Sequence, residues 1–90
     1  MIVNSFFDRQ GTQQFHPPHP LRGYLAQINE WARGTIQWHV TRIGGEDHIP
    51  IFQAYPVWGN ELLDRFTAIG PSKKAAMEEA ARLMALSGHC

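Results

Sequence analysis

Cysteine and lysine are both scarce in this chain. Cys90 is the single cysteine, and the two lysines, Lys73 and Lys74, are neighbours. One cysteine cannot form an intrachain disulfide, which excludes the disulfide framework of small secreted domains, although Cys90 can still join two chains. Lys and Arg together number 8, Asp and Glu also number 8, and the formal net charge at pH 7 is zero. A strongly basic nucleic-acid-binding protein is therefore excluded, and any anion site has to be a local patch.

Long apolar runs and a basic leader are missing as well. Residues 1–7 include apolar side chains but have no basic n-region, no continuous apolar stretch and no small-residue cleavage site. We therefore expect neither a signal peptide nor a membrane span, and we predict an intracellular, cytoplasmic protein. Ninety residues with 43% hydrophobic content suffice for one small domain with its own core. They leave little room for a separate catalytic domain.

The first 20 residues are predicted to form an N-terminal arm, and residues 21–90 the folded domain. The arm ends in the proline-rich run 16–20, which forbids a helix and favours extended polyproline geometry. Its large apolar residues are too numerous for a purely solvated segment, so we expect part of it to dock. These residues are Ile2, Val3, Phe6, Phe7 and Phe15.

Hydrophobic periodicity in the rest of the chain predicts two helices flanking three strands. The predicted elements are a helix from Leu21 to Gly34, strands over 35–42, 49–58 and 62–69, and a helix over 73–86. Pro50 and Pro56 favour an edge or a bulge for the second strand. The order α-β-β-β-α predicts an α+β fold, with a three-stranded antiparallel sheet and both helices on one face.

The start of the last helix combines a cap with two cations. Ser72 is typical of an N-cap, which places Lys73 and Lys74 in the first turn. The helix dipole favours Asp or Glu there by up to about 1 kcal/mol, so two lysines are unfavourable for stability. The free backbone amides of the helix start, the helix dipole and the two lysine ammonium groups can together bind an anion such as phosphate. The alternative is that the lysines only keep the surface soluble.

Three short motifs, in register over roughly residues 21–86, resemble the double-stranded RNA-binding domain. They are Ile28-Asn29-Glu30-Trp31 in the first helix, Gly45-Glu46-Asp47-His48 followed by Phe52, and Gly70-x-Ser72-Lys73-Lys74-x-Ala76 followed by Ala80-Ala81. In the family, the second motif is the loop between the first two strands and the third begins the second helix. The family also has the α-β-β-β-α order.

The resemblance implies binding of duplex RNA. In the family, the first helix and the loop reach successive minor grooves, and the second helix spans the phosphates between them. The positions of this sequence that match those contacts are Glu30, His48, Lys73 and Lys74. Glu30 can accept a hydrogen bond from a 2′-hydroxyl, His48 can offer a ring donor, and the lysines can neutralise phosphates.

Departures from the family pattern predict that this binding is weak. Met77 stands where the family usually has a third basic residue, and Glu46, beside Asp47, replaces the loop proline. Glu78 lies one turn after Lys74 and can neutralise it. Each unit-charge pair at contact distance is worth about 1 kcal/mol in water. We therefore expect weak duplex binding with a shallow salt dependence.

The sheet face turned away from the helices supports a second hypothesis. The alternation places Ile51, Tyr55, Val57 and Ile69 there, although a face that meets only water should be polar. We expect a partner for it, either the arm or a second copy of the chain, in a homodimeric interaction module with a degenerate RNA surface. Alternatively, the arm folds back and completes the core.

No motif predicts catalysis or a cofactor. His16, His19, His89 and Cys90 could supply zinc ligands, but their spacing matches no common zinc motif. A Cys90 nucleophile would need a rigid pocket, which a terminal residue seldom has. We therefore expect a non-enzyme without cofactor or metal, and no membrane partner.

Overall fold

Two helices and one antiparallel sheet make up the fold. The computed structural model describes residues 5–18 and 23–90. The elements are helices α1 (Tyr24–Ala32) and α2 (Lys73–Ala85), strands β1 (Ile36–Glu46), β2 (Ile49–Trp58), β3 (Glu61–Leu62) and β4 (Ala68–Gly70), and 3-10 turns at Phe6–Asp8 and Asp64–Phe66. The predicted α+β class and the order of helices and strands are confirmed, with the third strand divided into β3 and β4.

Strand β2 is central in the sheet. Its whole length pairs with β1, from Ile36 opposite Trp58 to Glu46 opposite Ile49, with a register shift between Arg42 and Gly44. On its other side, β2 pairs first with β3 and then with β4. Because β4 ends opposite Phe52, the β1–β2 hairpin projects beyond the third strand.

Pro56 explains why the third strand is divided. An edge or bulge position was predicted for this proline, and that prediction was wrong, because Pro56 is buried in the central strand opposite Trp38. Its carbonyl accepts a hydrogen bond from the Leu63 N–H at 2.9 Å, so its nitrogen also faces the third strand. Proline has no N–H to continue that ladder, and the chain turns at Asp64–Phe66 before pairing resumes in β4.

Both helices pack on the same face of the sheet, as predicted. The sheet residues that meet them are Ile36, Trp38, Val40, Phe52, Ala54, Trp58 and Ala68. Ala76 and Ala80 of α2 are fully buried against this face. Gly70 permits the close approach, since a Cβ there would lie 2.7 Å from the Ala76 nitrogen.

The described part of the arm completes the core. Phe6 is only 2% exposed and packs among Leu63, Phe66 and Met84. Its backbone N–H donates to the Glu61 carboxylate at 2.6 Å, and the Ser5 hydroxyl donates to the same carboxylate. These two bonds, the Phe6 bond first, lower the pKa of Glu61. Residues 5–18 therefore belong to the same packed unit as the domain, and the expectation that part of the arm docks is confirmed for them.

We predict that Phe6→Ala destabilises the fold by about 3 kcal/mol or more, because the substitution leaves a cavity in a packed aromatic cluster. Chemical denaturation gives the change in free energy of unfolding. Leu86→Ala is the control, because Leu86 is 62% exposed and its truncation should have little effect. A loss for Phe6→Ala no larger than that for Leu86→Ala would contradict the role of the arm in the core.

Candidate nucleic-acid interface

Lys73 and Lys74 occupy the first turn of α2, as predicted. The Ser72 hydroxyl caps the helix by accepting from the Ala75 N–H at 3.0 Å. Both lysines are exposed, and the turn contains no acidic residue. Within residues 5–18 and 23–90, the structure gives neither lysine an ion-pair partner. Two cations and the positive end of a helix dipole therefore face solvent together.

The glutamates that follow the lysines are engaged elsewhere. Glu78 accepts a hydrogen bond from the Leu25 N–H at 3.2 Å, so it caps the start of α1. The structure does not pair Glu78 with Lys74 among the residues that it describes; the Glu78 carboxylate bonds to the start of α1 instead. Glu79 pairs with Arg82 at 3.0 Å, farther along α2.

His48 lies at the tip of the β1–β2 hairpin. Its side chain is 79% exposed, and its Nε2 lies 3.6 Å from the Glu46 carboxylate, so an acidic group accompanies the predicted ring donor. Arg42 stabilises the hairpin tip by hydrogen bonds to its backbone. Its guanidinium donates to the carbonyls of Gly44, Gly45 and Glu46, at 3.4, 3.4 and 2.9 Å. The cation of Arg42 is therefore used to hold the hairpin.

Glu30 lies on the exposed side of α1, beside the arm. It borders a cavity of about 430 Å³ between α1 and the arm. The other lining residues are Gln13, Gln14, His16, Gln27, Trp31 and Arg33. We call this cavity the arm groove. The sequence reasoning placed Glu30 on α1 but did not find the groove. One available signal was Gln27, a polar residue within the apolar stripe of the helix.

Strand β2 serves as a ruler for the spacing of the four residues predicted to contact RNA. They are Glu30, His48, Lys73 and Lys74. The Trp38 Nε1–H donates to the Asn29 side chain at 2.8 Å, which fixes the end of α1 at the level of Pro56. Pro56 lies seven residues after Ile49, which is at the hairpin tip, and this separation is about 24 Å along a strand. Helix α2 begins just after Gly70, opposite Phe52 and between these levels. The end of α1, the lysines and His48 thus lie at three successive levels along β2.

The open face of the sheet carries the second predicted set. Ile69 is 61% exposed and Ile51 39% exposed, whereas Tyr55 and Val57 are half-buried. Leu62, 59% exposed and opposite Val57 in register, belongs to the same face, although the sequence reasoning did not include it. The described arm residues dock on the opposite, helix-covered layer. That a second copy of the chain covers this face remains a prediction.

Cys90 and the histidines form no metal site in the part of the chain that the structure describes. There, no group of three or more His, Cys, Asp or Glu side chains is arranged to hold a metal ion; His19 lies outside it. Cys90 is 4% exposed, and burial raises the pKa of its thiol to about 12, against a smaller opposing effect of Arg9. Such a thiol is a poor nucleophile at neutral pH. Neither described helix has the length and apolar composition to cross a membrane.

Comparisons of this chain with protein-family models, with curated proteins and with solved structures found no match.

We predict that Glu78→Ala lowers the free energy of unfolding by about 1 kcal/mol, because α1 loses the carboxylate that caps its first turn. Chemical denaturation measures the effect. Glu79→Ala is the matched control on the same helix, since it removes only an exposed ion pair and should cost less than about 0.5 kcal/mol. Equal losses for the two variants would argue against the capping role.

Proposed function

We propose that this chain binds duplex RNA through the start of α2, together with α1 and the β1–β2 tip. The observation that carries the proposal is the exposed pair Lys73 and Lys74 at a capped helix N-terminus, with Glu78 and Glu79 engaged elsewhere. Ammonium groups and a helix N-terminus attract phosphate oxygens. The resemblance of three motifs to the double-stranded RNA-binding domain supports duplex RNA as the source of those phosphates.

The succession of the sites along β2 suits an extended ligand. A duplex that follows the strand direction meets α1, then the lysines, then His48. In the double-stranded RNA-binding domain, these elements contact one minor groove, the intervening phosphates and the next minor groove. Glu30 can accept from a 2′-hydroxyl, because a carboxylate has about four lone-pair sites.

Charge limits the strength of this binding. The chain has no net charge, and Glu46 accompanies His48 at the tip. Each neutralised phosphate contributes a slope of about −0.9 in the logarithm of affinity against the logarithm of salt concentration. Two lysines therefore give a shallow dependence, with a slope of about −2.

We predict that Lys73→Ala/Lys74→Ala weakens binding to a duplex of about 20 base pairs and removes most of its salt dependence. Fluorescence anisotropy at about 50 and 150 mM salt measures both quantities. Arg82→Ala is the control, because Arg82 carries its charge at the far end of α2 and is paired with Glu79. The proposal fails if the unmodified chain does not bind at the lower salt concentration, or if the double variant binds as tightly as Arg82→Ala.

A second candidate function, homodimerisation, is favoured by the open face of the sheet. Ile69 and Leu62 are about 60% exposed there, beside Ile51, Tyr55 and Val57. Apolar surface of this kind is stabilised when a partner covers it, and a second copy offers the same patch.

We predict that Ile69→Glu lowers the molar mass measured by light scattering at high protein concentration from that of two chains to that of one. A carboxylate within an apolar interface is costly to desolvate. Thr41→Glu, on the same face but on the opposite outer strand, β1, is the matched control. A mass of one chain for the unmodified protein would remove this candidate.

A further inference from the structure

Hydrogen bonds fix both ends of the arm segment that borders the arm groove. Gln27 is 7% exposed, and its amide joins the arm to α1. It accepts from the His16 N–H at 2.8 Å and donates to the His16 carbonyl at 3.0 Å. At the other end of the segment, the Gly11 N–H donates to the Gly88 carbonyl at 2.8 Å. Residues 11–16 are therefore tied at both ends, and the groove between them and α1 is a built feature.

The lining of the groove is polar and mostly uncharged. Gln13 and Gln14 are exposed and carry amides that both donate and accept hydrogen bonds. Among the described lining residues, Arg33 is the single lysine or arginine. A phosphate offers only acceptors and calls for cations, whereas a 2′-hydroxyl and the base edges of a minor groove offer both donors and acceptors. The half-buried Trp31 adds an apolar wall.

The groove is continuous with the proposed RNA surface. Glu30 belongs to both, since it lines the groove and lies on the helix that is proposed to meet a minor groove. A duplex that reaches Glu30 therefore brings neighbouring riboses within reach of the arm.

We infer that the arm groove is an additional contact site for duplex RNA, in which Gln13 and Gln14 bind ribose 2′-hydroxyls and base edges of the minor groove at α1. This inference rests on the proposed function and adds the arm to the interface. The arm then has two tasks, because Phe6 completes the core while residues 13 and 14 extend the recognition surface.

The test measures anisotropy with the 20-base-pair RNA duplex at low salt, using the whole chain. Gln13→Ala/Gln14→Ala should weaken binding about five- to twentyfold, since each lost hydrogen bond contributes a few-fold in affinity. Its salt slope should not change, because no phosphate contact is removed. Gln37→Ala is the matched control, as an exposed glutamine on the open face of the sheet. It should bind like the unmodified chain.

Gln14→Glu provides a variant of nearly the same shape at an exposed position, so the fold should be retained. Gln14→Glu removes the donors of the amide and adds a second negative charge beside Glu30, so duplex binding should weaken at least tenfold if the groove faces RNA. Binding should change little if the groove faces bulk salt solution. If the lysine double variant loses binding while both groove variants bind like Gln37→Ala, the inference is wrong and the proposed function stands. If the unmodified chain binds no duplex, the proposed function fails and the inference fails with it.

Discussion

The burial of Phe6 is the contact on which the arrangement of the arm depends. Its ring lies 5.4 Å from that of Trp58 and 6.1 Å from that of Phe66, so one arm residue meets both the central strand and the turn that divides the third strand. Three residues on, the Arg9 guanidinium lies 5.3 Å from each ring of the stacked pair Trp31 and Trp58. Burial of this aromatic surface and the cation–π contacts fix the arm across the end of the domain.

The position of α1 follows from contacts at both of its ends. Glu78 of α2 caps its first turn, and Asn29 near its last turn accepts from Trp38 of β1. Gln27 then holds the arm along the same helix. The helix that carries Glu30 is thus fixed to the second helix, the sheet and the arm. Such support from packed neighbours is what a binding surface needs in order to keep its geometry.

Local patterns predicted the elements well, whereas features that depend on distant partners were missed. Strand β2 spans the ten residues predicted for the second extended run, and Ser72 caps α2 as its position suggested. The division of the third strand requires knowing that Pro56 lies across from Leu63, which is information about register. Helical spacing alone favoured a pair between Glu78 and Lys74, but a backbone N–H of α1 proved the better partner. The arm groove was missed because it needs the arm and α1 together.

A chain with zero net charge can still present a positive patch when the fold absorbs its carboxylates. Glu61 binds the arm, Glu78 caps α1, and Glu79 pairs within α2, so these three carboxylates are engaged inside the fold. At the hairpin tip, the Arg42 guanidinium donates to the carbonyls of residues 44–46, and the charged group beside His48 is Glu46. Lys73 and Lys74 are left side by side at the start of α2, exposed and without an ion-pair partner among the residues that the structure describes.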